Sequence, residues 1–147
     1  MKTQVKLTEH FLLLEMTASG TAISLGLKNE AGEKEVEALR HLCEDVLEPL
    51  RRRFGRIIIA SGYRCEAVNR EVGGVKNSQH MRGEAADIHC SSRETALRYF
   101  HFISENLEFD QLLLEQRMSN GCCWIHVSYI HQPGRRPNRK QAKELKV

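Results

Sequence analysis

The segment from Glu33 to Phe54 places the strongest constraint on the fold, because its apolar residues recur with the period of an α-helix. The pattern predicts one long amphipathic helix, whose apolar stripe must be covered by other elements of the chain. Pro49 is expected to kink this helix near its end, and Gly55 is expected to terminate it. The stripe consists of Val36, Leu39, Leu42, Cys43, Val46, Leu47, Leu50 and Phe54.

A small sheet is predicted from runs of β-branched residues and from alternation of apolar and polar residues. Asn120-Gly121 is a strong signal for a tight turn, so the last two strands are expected to form a hairpin. The expected strands cover residues 56–60, 84–90, 109–116 and 122–130.

Further helices are predicted on both sides of these strands. Thr8 is expected to cap a short N-terminal helix, and Ser91 or Ser92 to cap a longer one. The expected helices cover residues 8–18, 33–54 and 93–106, and a loop that can include one helical turn is expected over 19–32. The fold class predicted from this order is α+β, with a small, largely antiparallel sheet flanked by helices.

The charge of the chain is distributed unevenly along its 147 residues, a length that corresponds to one domain. Residues 133–147 contain six Lys or Arg and one acid, whereas the rest of the chain contains 16 basic and 18 acidic residues. We therefore separate a domain of residues 1–132 from a basic tail of residues 133–147, interpreted as a solvated helix or arm. The alternative for the tail is attraction to an anionic polymer. The acidic body and the lack of interleaved aromatic residues argue against a nucleic acid as partner.

No apolar run in the sequence is long enough to span a membrane, so no membrane partner is expected. Residues 1–6 lack the apolar stretch of a secretory signal, and the chain is therefore expected in the cytoplasm as synthesised. The five cysteines are odd in number and lack a CxxC spacing, which argues against a disulfide framework or a cysteine zinc site. The oligomeric state is left open.

Two clusters of polar residues carry the candidate chemistry. The first contains His80 and Asp87, and the second contains His126 two residues after Trp124. Two imidazoles and one carboxylate suit zinc, and three protein ligands leave one coordination position open, as in catalytic zinc sites. Gly83 is expected to let the backbone pass close to the ion. By spacing alone, such histidines are more often ordinary core residues than metal ligands.

Three separated motifs occur in a fixed order along the chain. They read Ser61-Gly62-Tyr63-Arg64, then Ser78-x-His80-x-x-Gly83-x-Ala85-x-Asp87, then Trp124-x-His126. This combination resembles the signature of the zinc D-Ala-D-Ala carboxypeptidase family, in particular its short single-domain branch. The family includes bacterial D,D-carboxypeptidases and phage L-alanyl-D-glutamate endopeptidases, and the hedgehog amino-terminal domain shares its fold. The resemblance covers roughly residues 7–131 and implies that fold here.

The resemblance also implies roles for individual residues. The implied zinc ligands are His80, Asp87 and His126. Arg64 is implied to pair with the terminal carboxylate of the substrate, a task for which the planar guanidinium is well suited. Ser78 is implied either to bind substrate or to order its loop, and these alternatives stay open. Trp124 is expected to share a face with the last histidine and to form a wall of the site.

One position departs from the family. Many members carry Glu or Asp three residues before the tryptophan, where this chain has Gly121. A carboxylate is still required near the open coordination position to act as general base. Glu115 is the first candidate, because the expected hairpin folds its strand back beside His126, and the register decides whether it faces the site. Asp110 is the second candidate. Two alternatives remain: Glu115 is an ordinary exposed acid, or the chain supplies no general base.

These expectations together describe a zinc-dependent peptidase that removes a C-terminal D-Ala from peptidoglycan stem peptides. The first alternative is an L-alanyl-D-glutamate-type endopeptidase. The second is a non-catalytic zinc-binding module like the hedgehog domain, which Gly121 favours. A cytoplasmic origin and a cell-wall substrate are compatible if the protein is a phage or prophage lysin that is released at lysis. A cytoplasmic dipeptide substrate is the other explanation.

Overall fold

The computed structural model describes residues 4–147, and residues 1–3 of the expected first domain lie outside this range. The strands are β1 (Lys6–Thr8), β2 (Phe11–Leu12), β3 (Ile58–Ser61), β4 (Ala85–His89), β5 (Gln111–Gln116), β6 (Cys123–Ser128) and β7 (Gln141–Lys146). The helices are α1 (Leu13–Thr17), α2 (Gly20–Leu25), α3 (Glu33–Leu42), α4 (Glu48–Phe54), α5 (Glu66–Glu71) and α6 (Arg93–Asn106). None of the helices in residues 4–147 combines the length and the apolarity needed to cross a bilayer.

The main sheet has five strands in the order β3-β4-β6-β5-β7, and β1 and β2 form a separate two-stranded sheet. Neighbouring strands of the main sheet are antiparallel except β5 and β7, which are parallel. The core lies between this sheet and the helices α3, α4 and α6, where Leu39, Leu50 and Ile103 join Ile88 and Ile125 in one buried cluster. The predicted α+β class with a largely antiparallel sheet is therefore confirmed.

The long predicted helix is present from Glu33 to Phe54, but it is not regular throughout. The turn Cys43–Leu47 is π-helical, and the N–H of Glu48 donates to the carbonyl of Cys43 five residues earlier. Pro49 follows directly and lies in the first turn of α4, where its missing N–H costs little. The expected kink thus takes the form of a wider turn just before the proline.

The N-terminal region differs in part from the expected helix over 8–18, because its first residues form β1 and β2 and the helix α1 is confined to Leu13–Thr17. The short helix α2 lies in the segment 19–32, where a loop with one helical turn was expected. Thr8 does not cap a helix; its hydroxyl donates to Glu48 Oε1 at 2.7 Å, and the backbone N–H of His10 donates to the same oxygen at 2.7 Å. Glu48 is buried, so this distant carboxylate fixes the hairpin.

The C-terminal segment is part of the main sheet, in contrast to the expected solvated arm. Strand β7 runs along β5 in a continuous register from the pair Gln111 and Gln141 to the pair Gln116 and Lys146. Its residues are mostly polar and exposed, which is the pattern of a sheet edge. Residues 133–147 therefore fold with the preceding residues and contribute the outermost strand.

A fully buried carboxylate, Asp110, holds this segment in place. Arg136 donates to its two oxygens at 2.6 and 3.0 Å. Arg139 donates from its side chain at 3.1 and 2.8 Å and from its backbone N–H at 2.9 Å. Burial alone would raise the pKa of Asp110, but the hydrogen bonds from Arg136 and Arg139 outweigh it and hold the pKa well below its ordinary value.

Replacement of Asp110 by asparagine is expected to destabilise the fold by about 1–3 kcal/mol, because two guanidinium groups lose their shared negative charge and one of its two acceptor oxygens. Chemical denaturation monitored by circular dichroism measures the change. Glu108→Gln is the matched control, since Glu108 lies two residues away, is exposed and forms no ion pair within residues 4–147. Equal stability of the Asp110→Asn variant and the wild type would contradict the anchoring role.

The same contact predicts a pH dependence. Because the folded state lowers the pKa of Asp110 below 3.8, its stabilising contribution is complete above that pH and is lost as the pH falls further. The difference in unfolding free energy between the wild type and the Asp110→Asn variant should therefore stay constant from neutral pH to about pH 5 and shrink as the pH falls through about 4 and below. A difference that grows on acidification would contradict this assignment.

Candidate metal centre

Two neighbouring strands and one short turn bring three potential metal ligands together. Asp87 on β4 is directly opposite His126 on β6, so both side chains point to the same face of the sheet. His80 comes from the 3₁₀ turn Gln79–Arg82, which precedes β4. One ligand atom from each of the three residues lies within 4.8 Å of the others, so the group could hold a metal ion.

The ring of His80 is fixed by the backbone of the upstream segment. Its Nδ1 lies 2.7 Å from the carbonyl oxygen of Gly62, and because a carbonyl can only accept, Nδ1 carries the proton. Nε2 is then left facing Asp87 Oδ2 at 3.4 Å. A histidine held by a backbone carbonyl in this way is typical of metal-binding histidines.

Ser78 lies at the start of the same turn and is buried. Its hydroxyl accepts a hydrogen bond from the backbone N–H of His80 at 3.2 Å. This contact orders the loop, which is one of the two roles considered for Ser78. The side chain of Ser78 also lines the cleft that contains His80, and its contact with a substrate stays a prediction.

Asp87 is the electrostatic centre of the group. Its Oδ1 lies 2.9 Å from His126 Nδ1, and its Oδ2 lies 3.3 Å from the guanidinium of Arg64. Burial raises the pKa of Asp87, but the hydrogen bonds from His126 and His80 outweigh it and keep the pKa well below its usual range. The side chain is therefore an ionised carboxylate. Together with two imidazoles it forms a donor set that fits zinc.

The reason for a glycine at position 83 differs from the one expected. Gly83 has φ +72° and ends the 3₁₀ turn in the left-handed region. A Cβ at this position would lie 2.4 Å from the backbone carbonyl of Glu35 on α3. Gly83 therefore allows the turn that carries His80 to pack against α3, and the approach of its backbone to an ion stays a prediction.

Several polar contacts hold Arg64 beside the three potential metal ligands, His80, Asp87 and His126. The Nε of Arg64 donates to Ser61 Oγ at 3.1 Å and its Nη1 donates to Asn69 Oδ1 at 3.3 Å. Asn29 bonds the backbone on both sides of Arg64, accepting from the N–H of Cys65 at 2.7 Å and donating to the carbonyl of Tyr63 at 2.9 Å. Sequence reasoning placed Asn29 in a loop and missed this role, because the contact joins segments far apart in sequence.

The register of the β5–β6 hairpin places Glu115 on the same face of the sheet as His126. Glu115 is directly opposite Trp124, and Leu113 is opposite His126. Glu115 is thus a diagonal neighbour of His126 on the same face, with backbones about 7–8 Å apart. The Nε1 of Trp124 donates to Glu115 Oε2 at 2.8 Å and fixes the orientation of the carboxylate. Both side chains line the cleft, as expected.

The second candidate for the general base occupies a different place. Asp110 is fully buried and both of its oxygens are engaged by arginines, so it is not presented to the metal group. Gly121, three residues before Trp124, lies in the hairpin turn with φ +72° and supplies no carboxylate. Of the two carboxylates considered as the general base, Glu115 is the one that lines the cleft.

The metal group lies in a cleft of about 740 Å³, large enough for several residues of a peptide. The residues that line it include Arg64 and Gly74, and also Arg135, Arg136 and Arg139. Sequence reasoning missed these three arginines, because residues 133–147 were interpreted as a separate tail. The signal that pointed to them was the concentration of basic residues in that segment.

The arrangement combines three kinds of group that hydrolysis of a peptide requires. Three ligands can hold a metal ion with an open position, a fixed carboxylate lies nearby on the same face, and cations line the surrounding cleft. Such a combination can polarise a carbonyl, accept a proton and bind a negatively charged substrate.

A comparison with known families agrees with this chemistry. No curated protein matches the chain. The family described as Peptidase M15 matches residues 9–128, which include the three candidate ligands, Arg64 and Glu115. The chain therefore belongs to the peptidase M15 family and is a metallopeptidase of that family.

Proposed function

We propose that this protein is a zinc-dependent peptidase that hydrolyses peptidoglycan stem peptides, with removal of a C-terminal D-Ala as its reaction. The observation that carries the proposal is the convergence of His80, Asp87 and His126 in one cleft with Glu115 and Arg64. Family membership supports a peptide as the substrate class.

His80, Asp87 and His126 are the residues proposed to hold zinc. When bound, zinc polarises the scissile carbonyl and lowers the pKa of a water molecule to about 7. The carbonyl of Gly62 keeps Nε2 of His80 available, and the low pKa of Asp87 keeps its carboxylate ionised. The ionised Asp87 carboxylate therefore has no proton to lose at neutral pH before it binds the ion.

Glu115 is proposed as the general base. It takes a proton from the attacking water and gives it to the leaving amine, so the carboxylate is regenerated in each cycle. The hydrogen bond from Trp124 Nε1 supports this role, because it holds one oxygen of Glu115, while the other accepts no hydrogen bond within residues 4–147. A pre-oriented carboxylate needs little reorganisation when the reaction begins.

Arg64 is proposed to bind the terminal carboxylate of the substrate, which favours action at the C-terminus of the peptide. Its guanidinium lies beside Asp87, so a bound carboxylate would be next to the candidate metal group. Ser78 and Trp124 are proposed to complete the substrate-binding surface, since both line the same cleft. In the cell, release as a phage or prophage lysin would bring the enzyme to this substrate.

Mass spectrometry of a stem pentapeptide ending in D-Ala-D-Ala tests the proposal directly. The peptide is incubated with zinc-loaded protein and with protein treated with a chelator. Loss of the terminal D-Ala in the zinc-loaded sample alone is the expected result. An internal cut would indicate an endopeptidase of the L-alanyl-D-glutamate type. An intact peptide with zinc bound would indicate a non-catalytic module or another substrate, and would overturn the proposal.

Replacement of Glu115 by glutamine is expected to reduce kcat by about 10²–10⁴-fold while zinc content stays unchanged. Glutamine can still accept the hydrogen bond from Trp124 but cannot take the proton from water. Turnover of the pentapeptide and metal content by mass spectrometry are measured together. Glu105→Gln on the exposed face of α6 is the control and should retain full activity. Wild-type turnover in the Glu115→Gln variant would exclude Glu115 as the base.

Zinc is also expected to stabilise the folded protein, by about 2.7 kcal/mol at a free concentration 100 times its dissociation constant. The melting temperature of the wild type should rise on addition of zinc, and that of a His126→Ala variant should rise much less. His101→Ala removes an exposed histidine on α6 and should behave like the wild type. An equal zinc-induced shift in the wild type and the His126→Ala variant would exclude His126 as a ligand.

A further inference from the structure

The cleft is strongly cationic, although residues 1–132 as a whole carry a small net negative charge. Among the described residues that line it, the acids are Asp87 and Glu115. The cations are Arg64, Arg82, Arg135, Arg136 and Arg139. Positive charges therefore outnumber negative ones in the lining of the cleft, which attracts anionic ligands to this place.

The three arginines from the C-terminal segment are held in position by buried acids. Asp110 is inaccessible to solvent and binds both Arg136 and Arg139. Glu84 is also buried and accepts from Arg135 Nη2 at 2.9 Å. Two carboxylates thus fix three guanidinium groups, and one positive charge is left without a counter-charge in this cluster.

Some N–H donors of these arginines are not used in the hydrogen bonds to the buried acids. Arg139 bonds Asp110 through Nε and Nη2, and its Nη1 makes no hydrogen bond within residues 4–147. Arg135 bonds Glu84 through Nη2, and its Nη1 is likewise left over within that range. Arg135 and Arg139 are 36% and 44% exposed, so these donors can reach a ligand in the cleft. Guanidinium groups held in this way are suited to a carboxylate.

We propose that Arg135, Arg136 and Arg139 form an anion-binding wall that takes a second carboxylate of the substrate, away from the bond that is cleaved. The substrate class is then an acidic peptide, with one carboxylate at its C-terminus and another on an upstream residue. This inference rests on the proposed function for the location of the cleaved bond. The wall follows residue 128, the end of the Peptidase M15 match, so it belongs to the C-terminal segment of this chain.

Two pentapeptides that differ in a single group test the wall. Both end in D-Ala-D-Ala, and one carries glutamate upstream where the other carries glutamine. Trp124 is the single tryptophan of the chain and lines the cleft, so its fluorescence reports binding without turnover. Titrations in a Glu115→Gln background keep the peptides intact. The glutamate peptide is expected to bind about tenfold more tightly than the glutamine peptide, as for one charge-assisted hydrogen bond.

In the Arg139→Gln and Arg135→Gln variants, the ratio of the dissociation constants of the two peptides is expected to be close to one. In the first variant Arg136 still neutralises Asp110, and the second does not touch Asp110, so both should fold, which circular dichroism verifies. Arg98→Gln on α6 removes the same charge outside this cleft and should leave the ratio unchanged. A rise in salt should reduce the preference, since it depends on charge.

The outcomes separate this inference from the proposed function. Equal binding of the two peptides, or a preference that persists in both Arg139→Gln and Arg135→Gln, overturns the anion-binding wall even if the wild type removes D-Ala. A preference that disappears in these variants supports the wall even if the wild type cleaves neither peptide. In that case the proposed reaction is wrong, and the proposed anion-binding wall is supported.

Discussion

The register between β4 and β6 is the constraint on which the candidate site depends. It sets Asp87 directly opposite His126, and a slip by one residue would turn one of the two side chains to the opposite face of the sheet. The adjoining β5–β6 register extends the same face, so that Glu115 lies opposite Trp124 and close to the metal group. Core packing stabilises this register, because Ile88 and Ile125 are paired across the strands and fully buried on the other face.

Local sequence patterns predicted the elements whose stability comes from local contacts and apolar burial. Helix α6 covers the expected residues 93–106 and is capped by Ser92, which accepts from the N–H of Thr95. The N-terminal hairpin and β7 were not predicted, because each depends on a buried acid far away in sequence. Glu48 fixes the hairpin through Thr8 and His10, and Asp110 fixes the last segment through two arginines. The polar strand β7 also lacks the apolar alternation by which a strand is recognised.

The candidate site was predictable to the extent that its residues lie within short motifs. His80, Asp87 and Arg64 lie together in the structure as the resemblance implied, and the hairpin turn brought Glu115 to the cleft. The supports of these residues were not predictable. The carbonyl of Gly62, which orients a histidine, is a backbone group, and Asn29 acts on a segment more than thirty residues later. Such contacts follow from the tertiary fold and leave no periodic signal in the sequence.

The candidate site combines an ionised carboxylate, Asp87, with arginines that line the surrounding cleft. A crystal structure of the zinc-loaded protein, with anomalous diffraction recorded at the zinc edge, tests the central claim most directly. We expect one anomalous peak at about 2.0–2.2 Å from ligand atoms of His80, Asp87 and His126, with Glu115 near the open position. An absent peak, or a peak bound by other residues, would contradict the assignment of this cleft as the metal centre.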